Sequence, residues 1–256
     1  MNFYKKIQEK FLRDGFLSTV NKICRYPFEF SRRNEYKKML QINSISDRFS
    51  KIYEKNLWNS KESSSGEGSE LSYTQPLRQW LITKLIKHNV KVLVDAPCGD
   101  FNWMRKVLEN ININYIGVDI VSSVIEKNKI QYGGGNNIHF LQKNICEDTL
   151  PKCDILMVRD CLFHLSYTDI DRFLKNISNV DYLYLLTTTH IVNNKFTNKN
   201  ITTGDYRTID LFSHPFNFDK NSVVDRVDDF PEGCRVQREM ILVKKINVPK
   251  SISYNV

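Results

Sequence analysis

The sequence predicts an α/β protein built on a doubly wound, mostly parallel β-sheet. Strand-like runs alternate with segments of helical periodicity between residues 91 and 189, and several of these runs are apolar throughout, like strands covered on both faces. The chain has 256 residues, 41% of them hydrophobic, which is enough for one sizeable core. We therefore expect one sheet domain with an N-terminal helical appendage.

The appendage comes first along the chain. Phe3, Ile7, Phe11 and Leu12 recur at helical spacing and predict an amphipathic helix. Its apolar face could pack on the sheet domain, join two subunits of a homodimer, or touch a membrane surface. No apolar run is long enough for a membrane span or a signal peptide, so we expect a cytoplasmic protein without membrane insertion.

A loop is predicted between the appendage and the sheet. Residues 58–72, WNSKESSSGEGSELS, are crowded with Ser, Gly and Glu and nearly lack apolar side chains. Such a segment is either a flexible linker or a mobile loop that folds over a bound ligand and excludes water. We place the domain boundary after this loop. The appendage and the loop then span residues 1–74, and the sheet domain spans residues 75–256.

The elements of the sheet domain follow in order. A helix begins at Pro76, which suits a first helical turn, and Asn89 ends it. The strand runs are KVLVDA, NYIGVDI, IHFLQKN, CDILMVRD and YLYLLTTT, and REMILVKK is a closing strand. Further helices are predicted over Trp103–Glu109, Ser122–Gln131 and Asp169–Ile177. Ser123 and Glu126 form a capping box at the start of the second of these helices.

Ligands of such a sheet bind beyond the carboxyl ends of its strands, and the turn after the first strand reads DAPCGD. This turn resembles the first motif of class I S-adenosylmethionine-dependent methyltransferases, with Asp95, Cys98 and Gly99 aligned and Pro97 standing where a glycine is common. A dinucleotide-dependent dehydrogenase needs further glycines against a pyrophosphate, and the bulky Phe101 follows instead. The resemblance implies a seven-stranded class I methyltransferase sheet with S-adenosylmethionine as the cofactor.

The ends of the second and third strands add contacts to the adenosine. Asp119 closes the second strand at the spacing where an acidic residue accepts hydrogen bonds from both ribose hydroxyls, unless it merely caps the next helix. Ile120 beside it would lie against the adenine. The resemblance assigns Asn144, with Ile145 next to it, to the adenine amino group, for which an amide oxygen can serve as acceptor.

The fourth strand and the helix after it, MVRDCLFHLSYTDIDRFLKNI, resemble the fourth motif of the family, and the resemblance covers residues 92–189. It places Arg159 among the cofactor-binding residues. In and after the Ser/Gly-rich loop, Ser69, Thr74 and Arg78 are candidates for binding the methionine carboxylate.

Methyl transfer is an in-line displacement, so the protein aligns the acceptor and removes a proton when the acceptor is a hydroxyl. His164 is the first candidate for the base, because it lies four residues after Asp160, where a helical turn would put both on one face. His190, at the end of the fifth strand, is a rival. Asp160 could instead contact the methionine part, and His164 could be a packing residue without a catalytic role.

An insertion before the last hairpin provides a candidate acceptor pocket. It reads TTGDYRTIDLFSHPFNF over residues 202–218, and its candidate substrate-binding residues are Tyr206, Arg207 and His214. Arg207 offers a planar fork suited to a phosphate or a carboxylate, although many arginines are simply solvated.

Composition narrows the classes of ligand. The formal net charge of +8 favours anionic partners or simply gives a basic surface. The basic residues are spread out and no N/D-P-P-Y/F motif follows the fourth strand, which argues against a nucleic acid substrate. Six cysteines include no C-x-x-C pair, and no acidic cluster has ligand spacing, so we expect no metal site and no disulfide framework.

The chain as a whole resembles stand-alone small-molecule methyltransferases of bacterial surface-polysaccharide (capsule or O-antigen) gene clusters. That resemblance implies O-methylation of a small anionic acceptor, such as a nucleotide-activated sugar or a phosphate- or phosphoramidate-type precursor. The alternatives are a methyltransferase of nucleic acid or of another small molecule, and a catalytically silent module that only binds S-adenosylmethionine.

Overall fold

The computed structural model describes residues 30–135, 137–234 and 236–254. The chain divides into two compact units, Met1–Ile42 and Asn43–Val256. In the first unit residues 30–39 are helical, whereas the helix predicted from Phe3 to Leu12 lies outside the described residues. Within the described ranges, no helix is both long enough and apolar enough to cross a membrane.

The described part of the second unit contains a seven-stranded sheet. Its strands are β1 (Val92–Asp95), β2 (Asn114–Asp119), β3 (Ile138–Gln142), β4 (Ile155–Val158), β5 (Tyr184–His190), β6 (Val223–Asp228) and β7 (Arg238–Lys244). Their order is β3-β2-β1-β4-β5-β7-β6, with β1 to β5 parallel and β7 antiparallel to both neighbours. The prediction of a doubly wound, mostly parallel sheet is confirmed. The strand order reverses between β1 and β4, where open α/β sheets form their ligand crevice.

Five α-helices accompany this sheet in the described part of the second unit. They are α1 (Ile45–Glu54), α2 (Gln75–Lys87), α3 (Met104–Leu108), α4 (Ser122–Tyr132) and α5 (Tyr167–Ser178). Helix α1 and the Ser/Gly-rich loop belong to the same compact unit as the sheet, although composition places the domain boundary at 74/75. Several residues of this helix and loop line a cavity at the carboxyl edge of the sheet.

The start of α5 and the cap of α4 differ from the prediction. Helix α5 begins before the predicted Asp169, because the side chain of its N-cap Ser166 accepts a hydrogen bond from the Asp169 N–H. The capping box predicted for α4 is wrong. The N-cap of α4 is Val121, which has no side-chain cap, and Glu126 pairs with Lys129 at 3.0 Å.

Apolar side chains alternate between the two faces of the sheet. Val94 of β1 faces the layer that contains Phe173 of α5, and its neighbour Leu93 faces the layer that contains Leu81 of α2. This alternation buries both faces, as the apolar strands predict. The polar residues of a site are therefore left to the ends of the strands.

Candidate active site

A cavity of about 300 Å³ lies at the carboxyl ends of β1 to β4. Most residues singled out in the sequence line it, namely Asp95, Pro97, Cys98, Gly99, Asp119, Ile120, Asn144, Ile145, Arg159, Asp160, His164, Tyr206 and Ser69. Five others are not among the residues that line it, namely Thr74, Arg78, His190, Arg207 and His214. The turns after four neighbouring strands thus converge on one site.

The turn after β1 carries a buried carboxylate and a constrained glycine. Asp95 is 3% exposed and accepts a hydrogen bond from the Tyr115 hydroxyl at 2.8 Å. Burial raises the pKa of Asp95 to about 7, against the opposing effect of that hydrogen bond. Gly99 has φ of 55°, and a Cβ there would lie 2.2 Å from the Ser65 Oγ, so only glycine fits this position.

Asp119, at the end of β2, is oriented by two backbone donors. Its Oδ2 accepts from the Gly99 N–H at 3.1 Å and its Oδ1 from the Val121 N–H at 2.9 Å. Burial raises the pKa of Asp119 to about 6, although these hydrogen bonds lower it. Each oxygen keeps a lone pair for a hydroxyl donor in the cavity. Because the N-cap of α4 is Val121, Asp119 does not cap that helix, and its carboxylate can still accept hydrogen bonds from a ribose.

Asn144, after β3, forms a local turn that fixes its side chain. Its Oδ1 accepts from the Cys146 N–H at 3.0 Å, and its own N–H donates to the Asp148 carboxylate at 2.7 Å. Ile145 lines the cavity beside it. An amide oxygen has two lone pairs, so Asn144 can still accept a hydrogen bond from a ligand.

The Ser/Gly-rich loop packs on the turn after β1. Its segment Ser63–Ser69, here called the roof, contributes residues 65–69 to the cavity wall. The Asp100 carboxylate accepts hydrogen bonds from the hydroxyls of Ser63 and Ser65 and from the N–H of residue 64. At the other end, the Gly68 carbonyl accepts from Arg159 Nη2 at 2.7 Å. These contacts favour the interpretation that the loop covers the cavity over the interpretation that it is a flexible linker.

Two arginines and two aspartates form a partly buried ion cluster next to the roof. Arg159 donates to Asp229 through Nε at 2.8 Å and Nη2 at 2.9 Å, and Arg238 donates to Asp160 at 2.7 Å. Burial alone would raise the pKa of Asp160, but the two guanidinium groups hold it below its ordinary value. Asp160 is therefore an anion that is already paired, which makes it a poor general base.

His164 lies on the turn after β4. Its Nδ1 is 2.8 Å from the Asp205 carbonyl oxygen, which can only accept, so Nδ1 carries the proton and Nε2 keeps its lone pair. The rings of Phe163, Trp58 and Tyr206 have centroids 4.6, 6.0 and 6.0 Å from that of His164. Burial lowers its pKa below the ordinary 6.5. A neutral, oriented imidazole of this kind suits a general base near neutral pH.

The position of His190 corrects its prediction as the rival base. It is 3% exposed, behind the cavity wall. Its Nδ1 accepts from the Ile209 N–H at 3.2 Å, so in the neutral ring Nε2 carries the proton and donates to the Tyr206 hydroxyl at 3.3 Å. Burial lowers the pKa of His190 to about 4. Because its basic nitrogen already has a donor, His190 orients Tyr206 and takes no substrate proton.

Two of the predicted acceptor residues are also corrected. Arg207 is 6% exposed and lies over the Tyr167 ring at 5.2 Å, with Nη2 donating to the Leu162 carbonyl at 3.2 Å. Burial lowers the pKa of Arg207 to about 10. His214 is exposed, and its carbonyl accepts from Asn198 at 2.9 Å. Of the three residues chosen from the insertion, Tyr206 is the one that lines the cavity.

Thr74 and Arg78 are corrected in the same way. The Thr74 hydroxyl donates to the Glu70 carbonyl at 2.9 Å, and Arg78 donates to the Leu71 carbonyl at 2.8 Å. Both side chains fix the entry to α2. Of the three candidates for the methionine carboxylate, Ser69 is the one that lines the cavity.

Several cavity residues were not predicted. Helix α1 and the turn after it contribute Phe49, Tyr53 and Trp58, whose spacing along a helical segment was the only available signal. The Trp58 Nε1 is buried and has no hydrogen-bond partner among the described residues. Arg238, the first residue of β7, reaches the cavity from a distant part of the chain, and nothing local marks it.

Cysteines line part of the cavity. Cys98, Cys146 and Cys161 are free thiols there, and burial raises the pKa of each. A thiol with a raised pKa is a poor nucleophile, so these side chains act through their shape. In residues 30–135, 137–234 and 236–254, no group of three or more His, Cys, Asp or Glu side chains could hold a metal ion.

Solved methyltransferase structures share this architecture. The Burkholderia thailandensis 1,6-didemethyltoxoflavin-N1-methyltransferase, with bound 1,6-didemethyltoxoflavin and S-adenosylhomocysteine, is 15% identical over 82% of this chain and 89% of its own, with a TM-score of 0.58. The mitomycin 7-O-methyltransferase MmcR is 14% identical over 68% of this chain and 54% of its own, with a TM-score of 0.51. This chain has the class I methyltransferase fold.

Other proteins with the methyltransferase fold differ in length from this chain. Human N-acetylserotonin methyltransferase in complex with S-adenosylmethionine is 12% identical over 68% of this chain and 55% of its own, with a TM-score of 0.49. The chain thus spans about half the length of MmcR and of this human enzyme. No protein-family model and no curated sequence matches the chain. The resemblance to surface-polysaccharide enzymes finds no support among these matches and is not carried further.

Proposed function

We propose that the chain is an S-adenosylmethionine-dependent methyltransferase that methylates a hydroxyl group of a small molecule. The observation that carries this proposal is the convergence of two side chains on one cavity. Asp119 presents a carboxylate suited to a ribose, and His164 presents an imidazole whose Nε2 is unprotonated. The fold, shared with a methyltransferase crystallised with S-adenosylhomocysteine, agrees with it.

The residues at the strand ends fit this cofactor. Asp119 would accept hydrogen bonds from the ribose hydroxyls, with Ile120 against the adenine and Asn144 at its edge. Ser69 of the roof would lie at the methionine part. The Trp58 indole N–H, which has no partner among the described residues, is a donor that a ligand oxygen can satisfy.

The chain's own residues would align the acceptor and remove its proton. The bound cofactor supplies a methyl group on a positively charged sulfur, activated for in-line displacement. His164 would take the acceptor proton at Nε2, while the Asp205 carbonyl keeps the Nδ1 proton in place. The nearby Asp160 carboxylate raises the pKa of His164 against the effect of burial, so it favours the imidazolium that forms.

The cavity favours a neutral hydroxyl over an anionic oxygen as the reacting group. Of the Lys and Arg residues that line it in the described residues, Arg159 and Arg238 are paired with aspartates, and Lys143 directly precedes Asn144 at the proposed adenine edge. Arg207, expected to bind a phosphate or carboxylate, is buried away from the cavity. Aromatic rings surround His164 instead, and such rings pack well on the flat faces of sugars and planar molecules. A nucleotide-activated sugar that reacts through a hydroxyl remains in this class.

A product screen tests the proposal. The protein is incubated with S-adenosylmethionine and a panel of sugars, nucleotide sugars, sugar phosphates and phenols, and mass spectrometry follows methylated product and S-adenosylhomocysteine. We expect both to appear together for one class of hydroxyl compound, and His164→Ala to suppress both. Cofactor binding without product across the panel would indicate a silent binding module. Absence of cofactor binding would contradict the proposal.

A further inference from the structure

We propose that Asp100 is a positioning residue that holds the roof over the cofactor cavity and thereby limits the rate at which bound cofactor leaves. This inference rests on the proposed function, because it concerns the same cavity. Asp100 is not among the residues that line the cavity, so it acts through the roof and does not touch the ligand.

One carboxylate fixes three successive residues of the roof. Asp100 Oδ2 accepts from the Ser63 Oγ at 2.9 Å and from the N–H of residue 64 at 2.8 Å, and Oδ1 accepts from the Ser65 Oγ at 3.2 Å. The Asp100 N–H donates back to the Ser65 Oγ at 3.0 Å. Hydrogen bonds to an ionised acceptor are roughly twice as strong as neutral ones, so this set is a strong anchor.

The roof packs so closely on its neighbours that no ligand fits between them. A Cβ at Gly99 would lie 2.2 Å from the Ser65 Oγ, and a Cβ at Gly68 would lie 2.6 Å from Arg238 Nη2. Glycine at both positions leaves room for the roof to lie directly against the turn after β1 and the ion cluster. Movement of the roof would therefore uncover the cavity wall formed by residues 65–69 and widen the route by which a bound ligand leaves.

The roof is also held by the Asn102 Nδ2, which donates to the Ser69 carbonyl at 3.0 Å, but its two charged anchors are not equivalent. At Gly68 the donor is Arg159, which Asp229 holds through two hydrogen bonds whether or not the roof is in place. At Ser63 and Ser65 the acceptor is Asp100 alone, so removal of its carboxylate leaves this half of the roof without its charged anchor. Loops released in this way open on the microsecond to millisecond scale, and affinity changes of related sites lie mostly in the dissociation rate.

Stopped-flow fluorescence measures that rate directly. Trp58 and Trp103 both line the cavity, so their emission reports binding of S-adenosylhomocysteine, the probe used here. We expect Asp100→Ala to raise the dissociation rate constant at least tenfold while the association rate constant changes less. Ser63→Ala, in which one hydroxyl donor is lost, should raise it by a smaller factor. Asp100→Asn keeps one acceptor oxygen and should fall between wild type and Asp100→Ala.

A matched control separates this role from a general loss of stability. The Asp154 carboxylate also accepts from two backbone donors, the N–H groups of Lys91 and Val92, at the opposite end of β1. Asp154→Ala should lower the melting temperature and leave the dissociation rate constant within twofold of wild type. Limited trypsin digestion should cleave after the exposed Lys61 faster in Asp100→Ala than in this control.

The outcomes distinguish the two proposals. A wild-type protein that does not bind S-adenosylhomocysteine contradicts the proposed function itself. A wild-type protein that binds it, with dissociation rate constants unchanged in Asp100→Asn and Ser63→Ala, overturns the role of Asp100 alone. These two milder variants decide the matter even where Asp100→Ala fails to fold.

Discussion

At the scale of single residues, His164 and His190 show how partners assign different roles to the same side chain. His164 follows β4, and His190 is the last residue of β5. In His164 the Nδ1–H donates to a carbonyl, which leaves Nε2 basic, and in His190 a backbone N–H donates to Nδ1. The spacing of His164 from Asp160, on which its prediction rests, gives no hydrogen-bonded pair, because Asp160 pairs with Arg238, and the carboxylate acts on His164 through its charge alone. Hydrogen bonding therefore decides which ring can act as a base.

His164→Ala tests that assignment. We expect kcat to fall by about 10²–10⁴, the usual contribution of a general base, with the affinity for S-adenosylhomocysteine nearly unchanged. The wild-type kcat should rise with pH through a pKa below 6.5, because only the neutral ring accepts a proton. His190→Gln is the control. We expect a smaller loss of kcat in this variant and the same pH profile as in wild type. Equal losses in the two variants would speak against His164 as the base.

The raised pKa of Asp119 predicts a pH-dependent affinity for the cofactor. Below about pH 6 the carboxyl is protonated and loses acceptor capacity, so S-adenosylhomocysteine should bind more tightly as the pH rises from 5 to 7.5. Asp119→Asn should weaken binding at pH 7.5 tenfold or more, which corresponds to about 1.4 kcal/mol. It should also lose the dependence near pH 6. Calorimetry across this pH range measures both effects, and an unchanged affinity would remove Asp119 from the site.

At the scale of elements, the insertion after β5 supports the base more than it binds the acceptor. Its Gly204 N–H donates to the His164 carbonyl at 2.7 Å, and its Arg207 N–H donates to the Phe163 carbonyl at 3.1 Å. With the Asp205 carbonyl on Nδ1, these bonds fix the turn after β4 from one side. Arg207, which the sequence suggests as a substrate-binding cation, is instead part of the structure that holds this turn.

Gly68→Ala tests how closely the roof meets the ion cluster. A Cβ there would lie 2.6 Å from Arg238 Nη2 and 2.8 Å from Asp160 Oδ2, so the roof or the ion pair must shift. Overpacking of this kind costs about 1–3 kcal/mol, and we expect the affinity for S-adenosylhomocysteine to fall at least fivefold, roughly 1 kcal/mol of that range. Gly134→Ala is the matched control, since nothing lies within 4 Å of its Cβ position. If calorimetry finds the same affinity in both variants and in wild type, the roof can accommodate the added methyl group and the prediction is wrong.

At the scale of the whole molecule, most of the net positive charge belongs to residues 1–42 and little of it to the unit that holds the cavity. Residues 1–42 contain 10 Lys and Arg against 4 Asp and Glu, and residues 43–256 contain 27 against 25. The net charge of +8 therefore says little about the acceptor, because the unit that would bind it is nearly neutral. A homodimer and a cytoplasmic location stay predictions.

Ligand-dependent stability follows from the cofactor proposal. A ligand that binds only the folded chain stabilises it by mass action, by about 2.7 kcal/mol at a hundredfold excess over Kd. We expect S-adenosylhomocysteine to raise the melting temperature in a concentration-dependent way and NAD to leave it unchanged. Differential scanning fluorimetry with both compounds checks this, and a shift with NAD alone would point to a dinucleotide site instead.

The sequence by itself determined five strands of a mostly parallel sheet, the closing strand and the strand ends that form the cavity, because hydrophobic periodicity and strand-end motifs are local signals. The pairing order and the place of β6 belong to the tertiary structure. Tertiary structure decided what the polar side chains do. Arg159 meets Asp229 across 70 residues of sequence and Arg238 meets Asp160 across 78. Asp100 reaches the roof across more than 30 residues. The charge, tautomer and reach of a side chain depend on such distant partners, and no local pattern records them.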